Sequence, residues 1–149
     1  MKRYDPKINN QEIEDKSGIY YVCLKKKSTS KEFGSAEFES LEKHKVLYLG
    51  KAKNLRKRII DKHLKGTPRN STLRKSIGAL FELKNNKEIS DWIKKHILFF
   101  YLIMNQSKLS KIELKQIKDY SPPFNLKGAE SIEKNKEFRK YLTQKRKNF

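Results

Sequence analysis

The stretch VLYLGKAKNLRKRIIDKH, from Val46 to His63, decides how the chain is read. Val46, Leu47, Tyr48 and Leu49 are apolar and β-prone, the composition of a buried strand. Gly50 then releases the backbone to turn, and Asn54 is a good N-cap for a helix carrying Arg56 and Arg58. A strand, a glycine and a basic helix in that order make an anion site. Within the helix His63 shares a face with Leu55, Ile59 and Ile60, which assigns it to packing or to contact with a phosphate.

Upstream, GIYYVCL (Gly18 to Leu24) is apolar on both faces and reads as a central strand. Downstream, Asn70 or Ser71 caps a second helix whose Leu73, Ile77, Leu80 and Phe81 recur at helical spacing. Ile89 to Lys95 suggests a short helix bearing Trp92, and ILFFYLIM (Ile97 to Met104) a strand buried on both faces. A further helix begins near Ser107 to Ser110 and must stop before Pro122. The chain divides into a polar N-terminal arm over 1–16, with a short helix around Asn10 to Asp15, a domain over 17–128 and a charged helix within 129–149. The linker over 25–45 is polar, with Phe33, Phe38 and Leu41 as anchors and a helical turn over Ala36 to Lys43. It reads as a solvated insertion or as a flap on DNA.

The 149 residues suffice for one core. Lys+Arg of 36 against Asp+Glu of 17 leaves a formal net charge of +19, tolerated most easily by a protein whose partner is a polyanion. Arginine stands only at Arg3, Arg56, Arg58, Arg69, Arg74, Arg139 and Arg146, so most of the charge is lysine, suited to phosphates rather than to base edges. Cys23 is alone, which excludes an internal disulfide and cysteine-based zinc sites. The start of the chain has no apolar run for a signal peptide, and no segment is long enough to span a bilayer, so a cytoplasmic protein with no membrane partner is expected.

Glu113 is the residue the helical pattern does not explain. Leu109, Ile112, Gln116, Ile117 and Tyr120 define an inward stripe, and Glu113 falls inside it. A carboxylate there is costly unless it is paired or bound to metal. The alternative is a capping box from Ser110 to Glu113. One carboxylate is a sparse ligand set, which points to a hard, hydrated ion such as Mg²⁺ or Mn²⁺.

Gly18-Ile19-Tyr20 and Tyr48-Leu49-Gly50 together resemble the two-part signature of the GIY-YIG nuclease family, with Leu49 in place of the commoner isoleucine. The family expects an arginine eight residues past the second glycine, where Arg58 stands. It also expects a glutamate on a later helix, matched by Glu113, and an asparagine in a proline-containing turn, matched by Asn125 in SPPFN. The resemblance covers residues 17 to 128, and Lys51 to Leu55 are similar to the matching segment of the bacterial excision-repair incision nuclease. Many members carry a histidine or tyrosine four residues after the arginine. Lys62 occupies that place here and His63 the next, so only a helix irregularity would recruit the histidine.

This resemblance implies an α+β fold, a small three-stranded antiparallel sheet flanked by helices, and a metal-dependent endonuclease that hydrolyses DNA phosphodiester bonds. It implies catalytic roles for Tyr20, Tyr48, Arg58, Glu113 and Asn125, with Glu113 the metal ligand, one tyrosine orienting or deprotonating the attacking water, and Asn125 organising the turn around the site. On residue type alone both tyrosines read first as core aromatics. The DNA contacts are expected from Lys51, Lys53, Arg56, Lys62, His63, Arg69, Arg74 and Lys75. No small-molecule cofactor is expected, and cutting both strands with one site favours a homodimer. Two other readings stand beside this one: a catalytically silent nucleic-acid-binding module of the same fold, and a basic assembly protein.

Overall fold

The computed structural model describes residues 1–28 and 30–149. Strand β2 (Gly18–Leu24), buried at every position, lies at the middle of an antiparallel sheet of five strands. The order is β1-β5-β2-β4-β3, with β1 Lys2–Tyr4, β3 Ser40–Leu41, β4 His44–Ala52 and β5 Ile97–Ile103. Because side chains alternate along a strand, β2 serves two cores. Tyr20, Val22 and Leu24 join Leu47, Phe99 and Tyr101 on one face, while Ile19, Tyr21 and Cys23 join Val46, Leu49, Leu98 and Phe100 on the other.

The first face is covered by a π-helix (Lys57–Leu64) and by α1 (Thr72–Leu80), α2 (Asn86–His96) and α4 (Lys136–Lys147), through Ile59, Leu73, Ile77, Ile89, Phe138 and Leu142. The second is covered by α3 (Leu109–Tyr120), through Leu109 and Ile117. Capping follows residue type: Ser71 accepts from the Arg74 amide (3.1 Å) and Asn85 from the Glu88 amide (2.9 Å). Among the described residues no helix is long and apolar enough to cross a membrane.

Three expectations need correction. The sheet has five strands, not three, because short edge strands carry no periodicity of their own: Lys-Arg-Tyr pairs with β5 through Lys2↔Tyr101 and Tyr4↔Phe99. The N-terminal segment therefore contributes to the core through Tyr4 and Ile13, and no helix forms at Asn10 to Asp15. The 25–45 linker is anchored by its aromatics while many of its described residues stay exposed, but it does not form the expected helical turn. Phe33 is buried against Phe38, Phe81 and Phe124, and a 3₁₀ turn (Lys31–Phe33) and the β3–β4 pairing replace the expected helical turn at 36–43.

Candidate active site

Strand β4 runs straight through Gly50 to Ala52, and Gly50 is not among the residues at positive φ. The glycine is needed for space rather than for a turn. A Cβ at position 50 would lie 2.6 Å from the Tyr20 hydroxyl and 2.8 Å from its ring carbon Cζ. Tyr20 pairs across the ladder with Gly50, and its ring occupies the space that a side chain at position 50 would need. Gly50→Ala is expected to displace Tyr20 and to cost about 1–3 kcal/mol of stability through overpacking. A chemical melt of the variant checks this, and an unchanged midpoint would show that the ring is free to move.

Around Tyr20 the two faces of the sheet meet at the edge of β4 in a cavity of about 470 Å³. Tyr20, Tyr48 and Arg58 enter from one side, Ser110, Glu113 and Leu114 on α3 from the other, and Asn125, Lys127 and Glu130 close the end. The structure thus brings together the five residues Tyr20, Tyr48, Arg58, Glu113 and Asn125 from β2, β4, the π-helix, α3 and the turn after α3.

Each is held by a different device. Asn125 is buried, and its amide uses both ends on one residue: Oδ1 accepts from the Leu49 amide (2.9 Å) and Nδ2 donates to the Leu49 carbonyl (2.8 Å). The neighbouring Phe124 amide donates to the Leu47 carbonyl (3.0 Å), so the proline turn closes the edge of β4 that the short β3 leaves open. The Tyr48 hydroxyl is half-exposed and lies 3.3 Å from Thr72 Oγ1. Glu113 is half-buried, forms no ion pair among the described residues, and has its carboxyl pushed above the usual range by burial, against the pull of Lys51, Lys127 and Arg58. The capping box is not formed. Helix α3 begins at Leu109, so Ser110 lies inside it, and Ser110 Oγ accepts from Lys51 Nζ (2.6 Å) instead. That bond ties β4 to α3 beside the carboxylate.

The helix after Asn54 is irregular in the way that matters. Asn54 Oδ1 caps it by accepting from the Lys57 amide (3.0 Å), and the following turns adopt i→i+5 bonding, as in Lys65 N–H to Ile60 O (2.9 Å). In such a helix residues five apart lie above one another, as residues four apart do in an α-helix. His63 therefore takes the place that Lys62 would occupy relative to Arg58. Its Nε2 lies 2.8 Å from the Tyr20 hydroxyl and its Nδ1 2.7 Å from Ser71 Oγ.

His63 is 1 % exposed and Arg74 0 %, so neither can reach a phosphate, and both are corrections to the expected DNA contacts. Arg74 is a strut: Nη1 donates to the His63 and Leu64 carbonyls and Nη2 to the Asn86 carbonyl and Ser90 Oγ, locking the π-helix to α2. The other expected contacts remain at the surface. Lys51, Lys53 and Lys62 line a second cavity of about 400 Å³ with Lys57 and Arg58, contiguous with the first through Lys51, Arg58 and Ser110. Arg56 and Arg69 are exposed and Lys75 half-buried, but none of the three lines either cavity. Lys57 and Lys127, which line the cavities, carry no motif or periodic signal that singles them out from other lysines.

Burial, reinforced by Arg58, Arg74 and Lys62, holds His63 down to about 3, so the ring is neutral. Burial also raises the Tyr20 phenol, outweighing Arg58, so Tyr20 stays protonated at neutral pH. Because His63 protonates in the unfolded chain near pH 6.5 and in the folded one only near 3, stability is full above 6.5 and falls as pH drops through that window. A parent protein should lose about 1 kcal/mol between neutral pH and a pH one unit below the ordinary histidine value, and His63→Gln should lose less. Urea titrations at the two pH values measure both, and equal losses would contradict a buried neutral histidine.

Compared with known proteins, residues 18–148 match the family model of the GIY-YIG catalytic domain. No curated protein and no solved structure matches the chain.

Proposed function

From the premise that this chain belongs to the GIY-YIG nuclease family, we propose that it is a metal-dependent endonuclease that hydrolyses DNA phosphodiester bonds at the cleft beside β4. The observation that carries this reading is the convergence of Tyr20, Tyr48, Arg58, Glu113 and Asn125, from five separate elements, on one cavity.

The donor set fits a hydrated hard cation. Glu113 offers a carboxylate that forms no ion pair among the described residues, and no group of three or more His, Cys, Asp or Glu gathers among them, so water and substrate oxygens would have to complete the shell of such an ion. A divalent ion held by Glu113 would polarise the scissile phosphate and stabilise the leaving oxygen.

The protein's own groups do the rest. Arg58 presents its guanidinium fork to the non-bridging oxygens and neutralises the charge that grows on them. Lys51, fixed to Ser110, adds a second positive charge on the same side. Tyr20 is too well buried to ionise, so it acts as a protonated hydroxyl held in place by neutral His63. Tyr48, the more exposed of the two tyrosines, is left to orient the attacking water. Asn125 works through the backbone, fixing Leu49 and hence Gly50 beneath Tyr20.

The lysine-lined cavity continues the cleft and carries no acid, so DNA is bound mostly through its phosphates. If six or more are contacted, affinity should fall by roughly 10³ or more between about 50 and 200 mM salt, linearly on logarithmic axes. Fluorescence anisotropy with a labelled duplex reads the slope, and salt-insensitive binding would contradict the electrostatic track. Incubation with supercoiled, linear, branched and single-stranded DNA in Mg²⁺ or Mn²⁺ tests the activity itself.

A further inference from the structure

A chain of buried hydrogen bonds runs from the start of α1 to the cleft. Ser71, the N-cap of α1, is 2 % exposed, and its Oγ lies 2.7 Å from His63 Nδ1 while accepting from the Arg74 amide (3.1 Å). His63 Nε2 lies 2.8 Å from the Tyr20 hydroxyl, and Tyr20 lines the cavity shared with Arg58 and Glu113. The imidazole between them is closely held. Its centroid is 5.3 Å from that of the Tyr20 ring and 6.2 Å from that of the Tyr48 ring, the latter edge-on, and the His63 carbonyl accepts from Arg74 Nη1 (3.1 Å).

The directions of these bonds follow from counting hydrogens. Burial beside the Arg74 guanidinium keeps His63 neutral, so its ring carries one N–H and one lone pair. Two hydroxyls compete for that lone pair, Ser71 at Nδ1 and Tyr20 at Nε2. They do not compete equally. Capping uses a lone pair of Ser71 Oγ and leaves its hydrogen free, and among the described residues His63 Nδ1 is the one acceptor that this hydroxyl meets. The Tyr20 hydrogen has the polar cleft, where Tyr48, water or a phosphate oxygen can accept it. If Tyr20 took the lone pair, the Ser71 hydrogen would be buried without a partner, the less favourable arrangement.

We propose that Ser71 is a positioning residue of the site: it donates to His63 Nδ1, holds the ring hydrogen on Nε2 against the Tyr20 oxygen, and so turns the Tyr20 hydroxyl hydrogen toward the cleft. Tyr20 then meets the substrate as a hydrogen-bond donor to a phosphate oxygen, and no proton changes hands there. That consequence rests on the nuclease reading; the direction of the buried bonds does not. A serine that the sequence marks only as a helix cap thereby gains a second role.

The first measurement is a long-range proton–nitrogen NMR correlation spectrum of the isotope-labelled parent, without DNA or metal, with the His63 signals identified by their loss in His63→Gln. It should show the ring hydrogen on Nε2. Ser71→Gly is the informative variant, because glycine serves nearly as well at an N-cap while removing the hydroxyl. Tyr20 then takes the vacated lone pair, so the hydrogen should move to Nδ1. In cleavage assays kcat should fall about tenfold, the worth of one hydrogen bond, with KM nearly unchanged. Ser71→Thr, which keeps both the hydroxyl and the cap, should retain the parental tautomer and rate. A ring hydrogen on Nδ1 in the parent overturns the proposal, and does so even if Ser71→Gly fails to fold. A folded Ser71→Gly protein whose kcat stays within about twofold of the parent overturns it as well. Because the spectrum needs no cleavage, a parent that fails to cut would sink the nuclease reading while leaving the Ser71–His63 assignment to stand or fall on the spectrum.

Discussion

Arg58→Ala should abolish cleavage while leaving DNA binding nearly intact. Arg58 is the arginine shared by the two contiguous cavities, facing Glu113 and Tyr20 on one side and Lys51, Lys53, Lys57 and Lys62 on the other. Its guanidinium is placed to meet charge that develops only as the phosphoryl group reacts, and loss of one such preorganised donor costs on the order of 10² to 10³ in rate. Affinity, by contrast, is spread over many lysines, with a net charge of +19 behind them, so one cation is a small share of it. Arg56→Ala is the matched control, since Arg56 is exposed and lines neither cavity. Single-turnover cleavage beside anisotropy separates the two arginines. If both variants behave alike, Arg58 is only part of a basic face.

Glu113→Gln should eliminate cleavage at every divalent-ion concentration that supports the parent. The same change should leave the metal-free protein as stable as the parent or more so. The sign follows from burial: the folded carboxyl is harder to ionise than the unfolded one, so above its ordinary pKa the ionised side chain is worse off folded. Glutamine removes that cost and keeps the shape. Mg²⁺ should raise the melting temperature of the parent but not of the variant, because only the parent binds it in the folded state. A variant that still cuts DNA would return Glu113 to a structural role.

Much of this arrangement is legible in the residues. The two-sided apolar runs at Gly18–Leu24 and Ile97–Ile103 announce central strands, and Pro122 ends α3 where it must. Glu113 stands out because a charge inside an apolar stripe violates the helical pattern, and that violation places it in the cleft. Other features leave no local trace. Strands of two and three residues, such as Ser40–Leu41 and Lys2–Tyr4, are stabilised only by the partner they meet. Arg74 looks like any other helix-start cation until the carbonyls of His63, Leu64 and Asn86 converge on it from distant segments. His63 sits one residue beyond its expected place, and only the i→i+5 winding of Lys57–Leu64 brings it to Tyr20. The packing of Leu55, Ile59, Ile60 and Leu64 selects that winding by keeping the apolar residues inward, a tertiary preference that outweighs local propensity.

The most direct test is a plasmid-nicking assay on the parent protein with supercoiled DNA, run in Mg²⁺ and again in excess EDTA, with DNA binding followed in parallel. A metal-dependent nuclease converts the plasmid to nicked or linear form in Mg²⁺ and leaves it supercoiled in EDTA, while binding persists in both. Folded protein that binds the plasmid but cuts it in neither condition would contradict the account and make this chain a silent nucleic-acid-binding member of its family.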